Sequence, residues 1–555
     1  MKCYLLSKKK ISFFTRLKLK LKYKVKAEII TDKNQFIDYL DSQYYTVKLK
    51  QLADKIEEIQ KYLAENNLEE LNNQLQSLSV SAFKNFLFSK YSKIPEESFT
   101  ADNYRQKYTS FINRYPVVLS TTHSLLRNCP DDFQYDLVIM DEGSQSDILT
   151  SLLTMNIAKK MVVVGDQKQL PQIDNTDLYP AADELAAKIS LPTYFQYREN
   201  SLLSSLISMG NIFPMTTLVE HYRCDARIIE FNNRKFYNNE LVICTKTSTT
   251  DPLFVIHTVK GHHARKNPKG SGIYNDREAQ EILELLKTID EQDVGIITPF
   301  RAQADYLSRL ISSKYPNVEV DTVHKFQGRQ KKIIILSTVI NDISEDDPNR
   351  LTDFVTNPNL LNVAISRAIS KLYIVVSDGV YESQHNLISQ FVSYIKYYCG
   401  ESNLKEGRVV SIFDDLYNDN YQAVTQSPLF RYVDSEAETI MLDHLNSLLK
   451  DYPDLKIQMH VTLSSLLTNY QGFTDSEIKY ITNRLTHVDF VLFDKINYKP
   501  VLCIEVDGTK YHDYSQRQIE HDRIKTRVLE ANGLKILRLK TNAAGEMEKI
   551  RNCLN

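Results

Sequence analysis

An apolar run that ends abruptly in two adjacent carboxylates constrains the fold of this chain more than any other feature. The run lies within residues 135–145, and Asp141 and Glu142 follow it directly. A short apolar run without alternation predicts a strand buried on both faces, as inside a parallel α/β sheet. Such sheets bind ligands beyond the carboxyl ends of their strands, so both carboxylates should line a crevice. There one carboxylate can hold hydrated Mg²⁺ and the other can orient a water molecule, although an acidic turn would leave the same pattern.

Length and composition indicate a globular protein of about three domains. The chain has 555 residues, of which 42% are hydrophobic and 25% charged, and its formal net charge is −2. Its seven cysteines form no Cys-x-x-Cys pair, which argues against a zinc site or a disulfide framework and favours a cytoplasmic location. No apolar stretch approaches the roughly 18 residues that span a bilayer, so we expect no membrane partner.

The amino-terminal region divides into a basic and a helical segment. Residues 17–26 alternate apolar and cationic side chains, which predicts a strand with one cationic face, either solvated or bound to phosphate. Between Gln51 and Leu78, apolar residues recur at intervals of three and four. This spacing predicts an amphipathic helix or a helical hairpin that serves as a stalk.

Strand-like and helix-like segments then alternate in two series. The first series includes predicted strands at residues 116–122, 135–141 and 160–165, and the second begins at Val294 and ends with the strand at residues 372–377. Alternation of this kind predicts two doubly wound parallel sheets. Two similar halves indicate a site in the cleft between them.

Six short motifs occur in one order along these two series. They are Asp141-Glu-Gly-Ser-Gln145, Gly165-Asp-Gln-Lys-Gln169, Glu220-His-Tyr-Arg223, Ile297-Thr-Pro-Phe300, Thr322-Val-His-Lys-Phe-Gln-Gly328 and Val363-Ala-Ile-Ser-Arg-Ala368. In this order the motifs closely resemble those of superfamily 1 helicases, specifically the Upf-like branch of DNA and RNA helicases. The resemblance implies two RecA-like domains that bind ATP and Mg²⁺ (or Mn²⁺).

The same resemblance implies roles for individual residues. Asp141 would bind magnesium and Glu142 would activate water, with Gln145 also at the cofactor and Gln169 sensing the γ-phosphate. Arg223 and Arg367 resemble arginine fingers that reach across the cleft. The remaining assignments place Gly328 and Gln330 near phosphate and ribose, and Ser120, Thr121, Thr122, Thr298 and Thr322 on the nucleic-acid strand.

One required element of this family is missing from the sequence. The family carries a Gly-x-x-x-x-Gly-Lys-Ser/Thr loop whose amides and lysine cradle phosphates. None of the fifteen glycines is followed by lysine, and no glycine precedes Gly143. Three explanations stay open, namely a truncated product, a separate polypeptide that carries the loop, and a loss of nucleotide hydrolysis. We therefore expect weak or absent ATPase activity from this chain alone.

The carboxyl-terminal region brings three acids onto two predicted strands. Asp489 lies on the first strand, and Glu505 and Asp507 share a face of the second because side chains alternate with period two. Three carboxylates in this arrangement could converge on a divalent metal ion. Upstream, Ser435 and Glu438 have the spacing of a capping box at the start of an apolar helix.

Residues 431–555 resemble the Vsr-like branch of the PD-(D/E)XK restriction-endonuclease fold. The resemblance implies that Asp489 and Glu505 ligate metal, with Glu438 as the first-helix carboxylate. His512 and Lys525 would transfer protons or hold the scissile phosphate. Asp507 stands where this fold usually has a lysine, so the residue that activates water stays open, as does the reading of these acids as ordinary surface groups.

These observations together predict an α/β protein with two RecA-like parallel-sheet domains, the first incomplete, followed by a small α/β restriction-endonuclease-like domain. We predict an ATP-dependent helicase or translocase fused to a metal-dependent nuclease that acts on single-stranded or branched DNA in DNA processing, repair or defence, with RNA also possible as a substrate. A nuclease with a non-hydrolysing strand-binding clamp and a non-enzymatic binding module are the alternatives. The predicted segments are a basic strand and stalk (1–115), the truncated first domain (116–205), the second domain (206–385), a connector (386–430) and the nuclease-like domain (431–555).

Overall fold

The computed structural model divides the chain into two compact units, Met1–Asp132 and Phe133–Asn555. The predicted basic strand at residues 17–26 and His512 lie outside the described residues. Among the described residues, no helix combines the length and apolar character needed to cross a bilayer. The structure describes residues 33–94, 97–173, 175–210, 212–246, 250–259, 261, 263–267, 271–290, 292–341, 348–377, 381, 386–416, 433–507, 516–541 and 543–555.

The first unit is mainly helical in its described part. Its helices are α1 (Lys33–Glu65), α2 (Leu68–Tyr91), α3 (Tyr108–Arg114) and α4 (Thr122–Asn128). Asn67 separates the two long helices and has a left-handed backbone, with φ of 46°. Asparagine tolerates this conformation better than most residues, which suits it to the break. The two long helices confirm the helical prediction for residues 51–78.

The predicted strand at residues 116–122 is wrong. This segment has no regular structure as far as Thr121, and α4 begins at Thr122. The Thr121 hydroxyl accepts a hydrogen bond from the Ser124 backbone N–H at 3.3 Å, so it caps the helix. Serine and threonine side chains compete with sheet pairing by forming such local hydrogen bonds.

A two-stranded parallel sheet begins the second unit. Strand β1 (Val138–Met140) pairs with β2 (Met161–Val163). Val138 and Met140 are buried, whereas Ile139 between them is 64% exposed. Burial of this strand on both faces is therefore a wrong expectation, because described residues cover only one face of the small sheet. The helices that follow are α5 (Ile148–Asn156), α6 (Tyr179–Lys188) and α7 (Leu202–Ser208).

A six-stranded parallel sheet forms the centre of the second unit. The second unit also contains two separate small strand pairs, β3 (Glu220–His221) with β4 (Val242–Ile243) and β6 (Ala264–Lys266) with β7 (Ile273–Asn275). The strands of the six-stranded sheet, in sheet order, are β12 (Leu404–Glu406), β5 (Leu253–Thr258), β11 (Ala368–Ser377), β10 (Lys331–Ser337), β8 (Val294–Thr298) and β9 (Glu319–Thr322). The accompanying helices are α8 (Ala226–Phe236), α9 (Asp276–Leu286), α10 (Arg301–Ile311), α11 (Pro348–Val355), α12 (Pro358–Ser366) and α13 (Leu387–Cys399).

This sheet is buried on both faces. Ile334 and Leu336 of β10 belong to one apolar core, and Ile335 between them belongs to a second. Every neighbouring pair of strands is parallel, which confirms the predicted α/β class. Strand β12 falls in the predicted connector but pairs with β5, so part of the connector completes the sheet.

A separate four-stranded mixed sheet lies at the carboxyl end. Its strands in order are β13 (Leu455–Thr462), β14 (His487–Asp494), β15 (Pro500–Asp507) and β16 (Ile536–Lys540). The first two pairings are antiparallel and the third is parallel. Its helices are α14 (Glu436–Leu448), α15 (Leu463–Leu466), α16 (Asp475–Ile481), α17 (Gln516–Ala531) and α18 (Glu546–Leu554).

A buried arginine joins the six-stranded sheet to the carboxyl-terminal region. Arg277 of α9 is fully buried and donates to the Asp414 carboxylate at 2.8 and 3.1 Å. It also donates to the backbone oxygens of Val409 and Ala543. The paired carboxylate and the two carbonyls offset the cost of burying this charge.

Candidate functional site

Two glycines bring the loops after β1 and β2 into contact. The Gly143 backbone N–H donates to the Val164 carbonyl oxygen at 2.8 Å. A Cβ on Gly165 would lie 3.0 Å from the Gly143 nitrogen and 3.1 Å from the Ser144 nitrogen. A larger side chain would push the loops apart, so glycine allows the motif with Asp141 and Glu142 to lie beside the motif with Gln169.

Glu142 connects this loop to the second half of the cleft. Its carboxylate accepts hydrogen bonds from the Gln145 amide at 3.1 Å and from the Gln327 amide at 3.3 Å. Its backbone is left-handed, with φ of 52°. A non-glycine residue in this region costs on the order of 1–3 kcal/mol, and such strain is common at functional sites. The neighbouring Asp141 carboxylate is exposed and accepts the Glu142 backbone N–H at 2.9 Å.

Arg367 lies across the cleft from Gln169. It is only 2% exposed, and its guanidinium donates to the Gln169 amide oxygen at 3.5 Å and to the Arg329 carbonyl at 3.3 Å. Burial lowers the pKa of Arg367, and the charge of exposed Arg223 lowers it further, whereas Glu142 opposes both effects. The structure therefore brings together Glu142, Gln169 and Arg367, with Gln145 hydrogen-bonded to Glu142.

Further polar contacts across the cleft involve residues that the motifs do not assign. The Tyr237 hydroxyl donates to the Asp166 carboxylate at 2.6 Å. Asn362 donates to the Lys168 carbonyl at 2.7 Å and to the Tyr237 oxygen at 2.8 Å. Burial and the Asp166 charge raise the pKa of Tyr237, which keeps this hydroxyl protonated. Asp166 and Gln327 lie inside the helicase-like motifs, but Tyr237 has no local signal because it follows α8.

The other predicted residues of this site have different environments. Gly328 has a left-handed backbone, with φ of 79°, and Gln330 is exposed. Thr298 and Thr322 are both buried, and the Thr322 hydroxyl accepts the Arg301 guanidinium at 3.1 Å. The remaining candidates for nucleic-acid contact belong to the first unit, and they are Ser120, Thr121 and Thr122.

The carboxyl-terminal sheet brings two acids together. Phe490 pairs with Ile504, and continuing this antiparallel register sets Asp489 opposite Glu505. Asp489 accepts the Val506 backbone N–H at 2.8 Å. The Glu505 Oε2 atom accepts the Lys525 ammonium at 2.7 Å, whereas its buried Oε1 atom has no hydrogen-bond partner within the described chain. An unsatisfied buried carboxylate oxygen is costly and is suited to receive a cation.

The charges of this pair are strongly perturbed. Burial raises the pKa of Asp489 to about 6, and the negative charges of Glu438 and Asp507 contribute to the increase. Burial and the neighbouring Asp489 also raise the pKa of Glu505, whereas Lys525 opposes the increase. A buried carboxylate beside a half-buried one favours a bound cation, and a divalent metal ion would satisfy both.

The other predicted nuclease residues are only partly assembled. The Asp507 carboxylate accepts the Arg538 guanidinium at 3.0 Å, so it is paired with a cation instead of free for metal. Burial raises the pKa of Asp507, and Arg538 opposes this effect. The Lys525 ammonium also donates to the His487 carbonyl at 2.8 Å, which fixes it between two strands.

The predicted capping box is half right. The Ser435 hydroxyl accepts the Glu438 backbone N–H at 3.2 Å, as expected. The Glu438 carboxylate, however, accepts the backbone N–H of Asp434 instead of that of Ser435, and it also accepts the Ser435 hydroxyl. Glu438 is 8% exposed, so this carboxylate is held at the buried amino-terminal end of α14.

Comparisons with known proteins match three segments of the chain to protein families. Residues 9–173 and 198–379 each match a family described as an AAA domain. Residues 430–555 match a family described as a protein of unknown function, DUF2726. The first two segments contain the cleft residues, and the third contains the paired acids.

Similar proteins include several helicases. An uncharacterized ATP-dependent helicase, MJ0104, from Methanocaldococcus jannaschii is 27% identical over 289 residues, which cover 48% of this chain and 39% of that protein. Human RNA helicase Mov10l1 is 28% identical over 268 residues, or 43% of this chain and 22% of that protein. A solved structure of the PRRSV helicase is 15% identical, covers 45% of this chain and 35% of that chain, and has a TM-score of 0.24. The chain thus spans well under half the length of these relatives.

Proposed function

We propose that this chain, which is superfamily 1 helicase-like, is an ATP-dependent helicase or translocase joined to a metal-dependent nuclease for nucleic-acid processing, with ATP hydrolysis impaired in this chain alone. The observation that carries the helicase part is the meeting of Glu142, Gln169 and Arg367 in one cleft, from three separate elements. The helicase names of the relatives agree with this assignment. DNA and RNA both remain substrates to be tested.

The cleft residues have chemistry suited to phosphoryl transfer. ATP bound with Mg²⁺ would supply the phosphoryl group, and the exposed Asp141 carboxylate would hold the ion. Glu142 would orient the attacking water, while Arg367 with Arg223 would stabilise negative charge on the phosphate oxygens. Arginine fingers contribute on the order of 10³ to 10⁵ in rate in other nucleotide hydrolases. Because these groups come from two halves, hydrolysis would be coupled to cleft closure.

The first test concerns nucleotide hydrolysis. Because no glycine of this sequence is followed by lysine, we expect weak or absent phosphate release from ATP with this chain alone. Release would be measured with and without single-stranded DNA or RNA. The variants are Glu142→Gln and, as a matched control, Glu184→Gln, an exposed carboxylate of α6. Turnover that a strand stimulates and that only Glu142→Gln abolishes would contradict this expectation.

The nuclease part is supported by the paired acids of β14 and β15. Mg²⁺ or Mn²⁺ bound by Asp489 and Glu505 would organise hydroxide and stabilise charge on the scissile phosphate. The Oε1 atom of Glu505, which has no hydrogen-bond partner among the described residues, agrees with such a ligand. Lys525 already holds one oxygen of Glu505, so its role would be to position that carboxylate. His512 stays a candidate for proton transfer.

The second test concerns cleavage. We expect Mg²⁺-dependent cutting of single-stranded or branched DNA by the full chain, and its loss in Asp489→Ala with folding intact. Asp443→Ala changes an exposed carboxylate of α14 in the same domain and is the matched control. Equal cleavage by Asp489→Ala and by the unchanged chain would remove the nuclease assignment.

The missing phosphate loop favours a second candidate function. In this second candidate, the chain is a Mg²⁺-dependent nuclease whose helicase-like part only clamps the nucleic-acid strand. Cleavage that proceeds at the same rate with and without ATP would favour this candidate. Strand binding without either hydrolysis or cleavage would favour a non-enzymatic binding module.

A further inference from the structure

Two histidines and a carboxylate converge at one end of the carboxyl-terminal sheet. They are Asp434, just before the N-cap of α14, His460 on β13 and His487 at the start of β14. One ligand atom of each side chain lies within 4.8 Å of the others. The Asp434 carboxylate is 3.8 Å from His460 Nε2 and 3.9 Å from His487 Nε2. Three separate elements therefore present donor atoms to one point.

The hydrogen bonding of His487 sets which ring nitrogen is available. Its Nδ1 atom is 3.1 Å from the Leu485 carbonyl oxygen. A carbonyl oxygen can only accept, so Nδ1 carries the hydrogen and Nε2 of the neutral ring keeps its lone pair. That Nε2 atom is the one directed toward Asp434. Histidines that ligate metals commonly donate their second nitrogen to a carbonyl in this way, which fixes the tautomer.

Glu438 lies beside His460 in this cluster. Its Oε2 atom is 3.0 Å from His460 Nε2, and the side chain is held by the Asp434 N–H and the Ser435 hydroxyl. Asp434 is 70% exposed in its side chain, whereas the Glu438 side chain is only 10% exposed. The set thus has one buried side and one open side through which an ion can enter.

We propose that His460, His487 and Asp434 bind one divalent transition-metal ion, with Zn²⁺ as the best match. Imidazole nitrogens suit Zn²⁺ and other transition metals, whereas Mg²⁺ and Ca²⁺ prefer oxygen ligands alone. Zinc is held tetrahedrally at about 2.0–2.1 Å from nitrogen, which sets donor atoms roughly 3.3 Å apart. The two separations from Asp434, 3.8 and 3.9 Å, lie close to that distance, so small side-chain rotations close the site.

This ion would have a structural role, whereas a metal ion on Asp489 and Glu505 would take part in cleavage. It would cross-link the amino-terminal end of α14 to β13 and β14, and so hold the end of β14 that carries Asp489. The proposal does not rest on nuclease activity, because its donor atoms include neither Asp489 nor Glu505. Without a metal, His460 Nε2 keeps its hydrogen bond to the Glu438 carboxylate, which an ion would replace.

The test uses the full chain after removal of metals with a chelator. Co²⁺, a spectroscopic substitute for Zn²⁺, is titrated in excess Mg²⁺ and followed by its visible absorption, and Zn²⁺ is then used to displace it. We expect one equivalent of Co²⁺ to bind. His460→Gln and His487→Gln should weaken binding on the order of 100-fold or more, and Asp434→Asn on the order of 10-fold to 100-fold. His444→Gln, on α14 but outside the cluster, is the matched control.

Asp489→Asn separates this proposal from the nuclease assignment. Retained Co²⁺ binding in Asp489→Asn together with loss in the two histidine variants supports the site. Binding that is lost in Asp489→Asn and retained in the histidine variants assigns the ion to the paired acids and overturns the proposal, as does absence of binding in the unchanged chain. Circular dichroism of each variant verifies folding, and the largely exposed Asp434 gives a variant that removes no buried packing.

Discussion

A buried glutamate of α9, which contacts the end of β10, makes the stability of the fold depend on pH, and one substitution can remove this dependence. Glu278 is 0% exposed and accepts hydrogen bonds from the Ser337 hydroxyl at 2.6 Å and the Val339 backbone N–H at 2.9 Å. Burial raises its pKa from 4.5 to about 7, against the effect of these hydrogen bonds. The folded protein therefore binds a proton on Glu278 more tightly than the unfolded chain does.

The magnitude follows from this shift. Each unit of pKa difference corresponds to about 1.36 kcal/mol, so a shift from 4.5 to about 7 amounts to about 3 kcal/mol. Because the folded-state pKa is the higher one, this stability is present below pH 4.5, is lost as pH rises toward 7 and stays lost above it. The glutamine side chain of Glu278→Gln cannot ionise, so the variant keeps this stability as pH rises. Relative to the unchanged protein, the variant should gain about 2–3 kcal/mol between pH 4.5 and pH 7.5.

Hydrogen exchange of β10 and β11, measured by mass spectrometry on the full chain, reports the opening free energy of this sheet. The relevant quantity is the change, between pH 4.5 and pH 7.5, in the stability difference between Glu278→Gln and the unchanged protein. Altered hydrogen bonding in the variant adds an offset to that difference, but the offset does not vary with pH and so cancels. Glu240→Gln, an exposed carboxylate that follows α8, is the matched control and should change stability by less than about 0.5 kcal/mol at both pH values. A difference for Glu278→Gln that is flat between the two pH values would refute the reasoning.

Two further predictions concern packing. Gly143→Ala would bring a Cβ to 2.4 Å from Val163 Cγ1, so we expect a loss of about 1–3 kcal/mol, seen as faster hydrogen exchange in β1 and β2 but not in β15. Arg277→Met leaves the Asp414 carboxylate buried without its cation, so thermal melting should show a loss of about 3–5 kcal/mol. The double variant Arg277→Met with Asp414→Leu should recover part of that loss, and no recovery would argue against the ion pair as the cause.

Local sequence pattern predicts much of this fold because the backbone period is a local property. The continuous apolar runs at β8, β10 and β11 predict buried parallel strands, and the structure has them in one sheet. The carboxyl ends of parallel strands meet at one edge, which is why Glu142 and Gln169 could be expected to lie near each other. The opposed acids Asp489 and Glu505 follow in the same way from period-two alternation on two neighbouring strands.

The sequence-based predictions failed where the same residues suit more than one local structure or more than one side-chain partner. Ser120, Thr121 and Thr122 suit an extended strand, but their hydroxyls also cap helices, and the capped helix α4 formed instead. Strand β12 is only three residues long, so its pattern is too short to be recognised. Asp507 shares a face with Glu505, but its carboxylate is hydrogen-bonded to the Arg538 guanidinium on β16.

The sequence by itself determined the alternation of strands and helices, the order of the helicase-like motifs and the acids at the ends of the strands. Tertiary structure decided which of those groups meet. The contact of Gln327 with Glu142, the hydrogen bond of Tyr237 to Asp166 and the convergence of His460 with His487 each join residues far apart in the chain or on different strands. Side-chain partners depend on how sheets and loops pack, and a periodic sequence pattern carries no information about which distant residues come into contact.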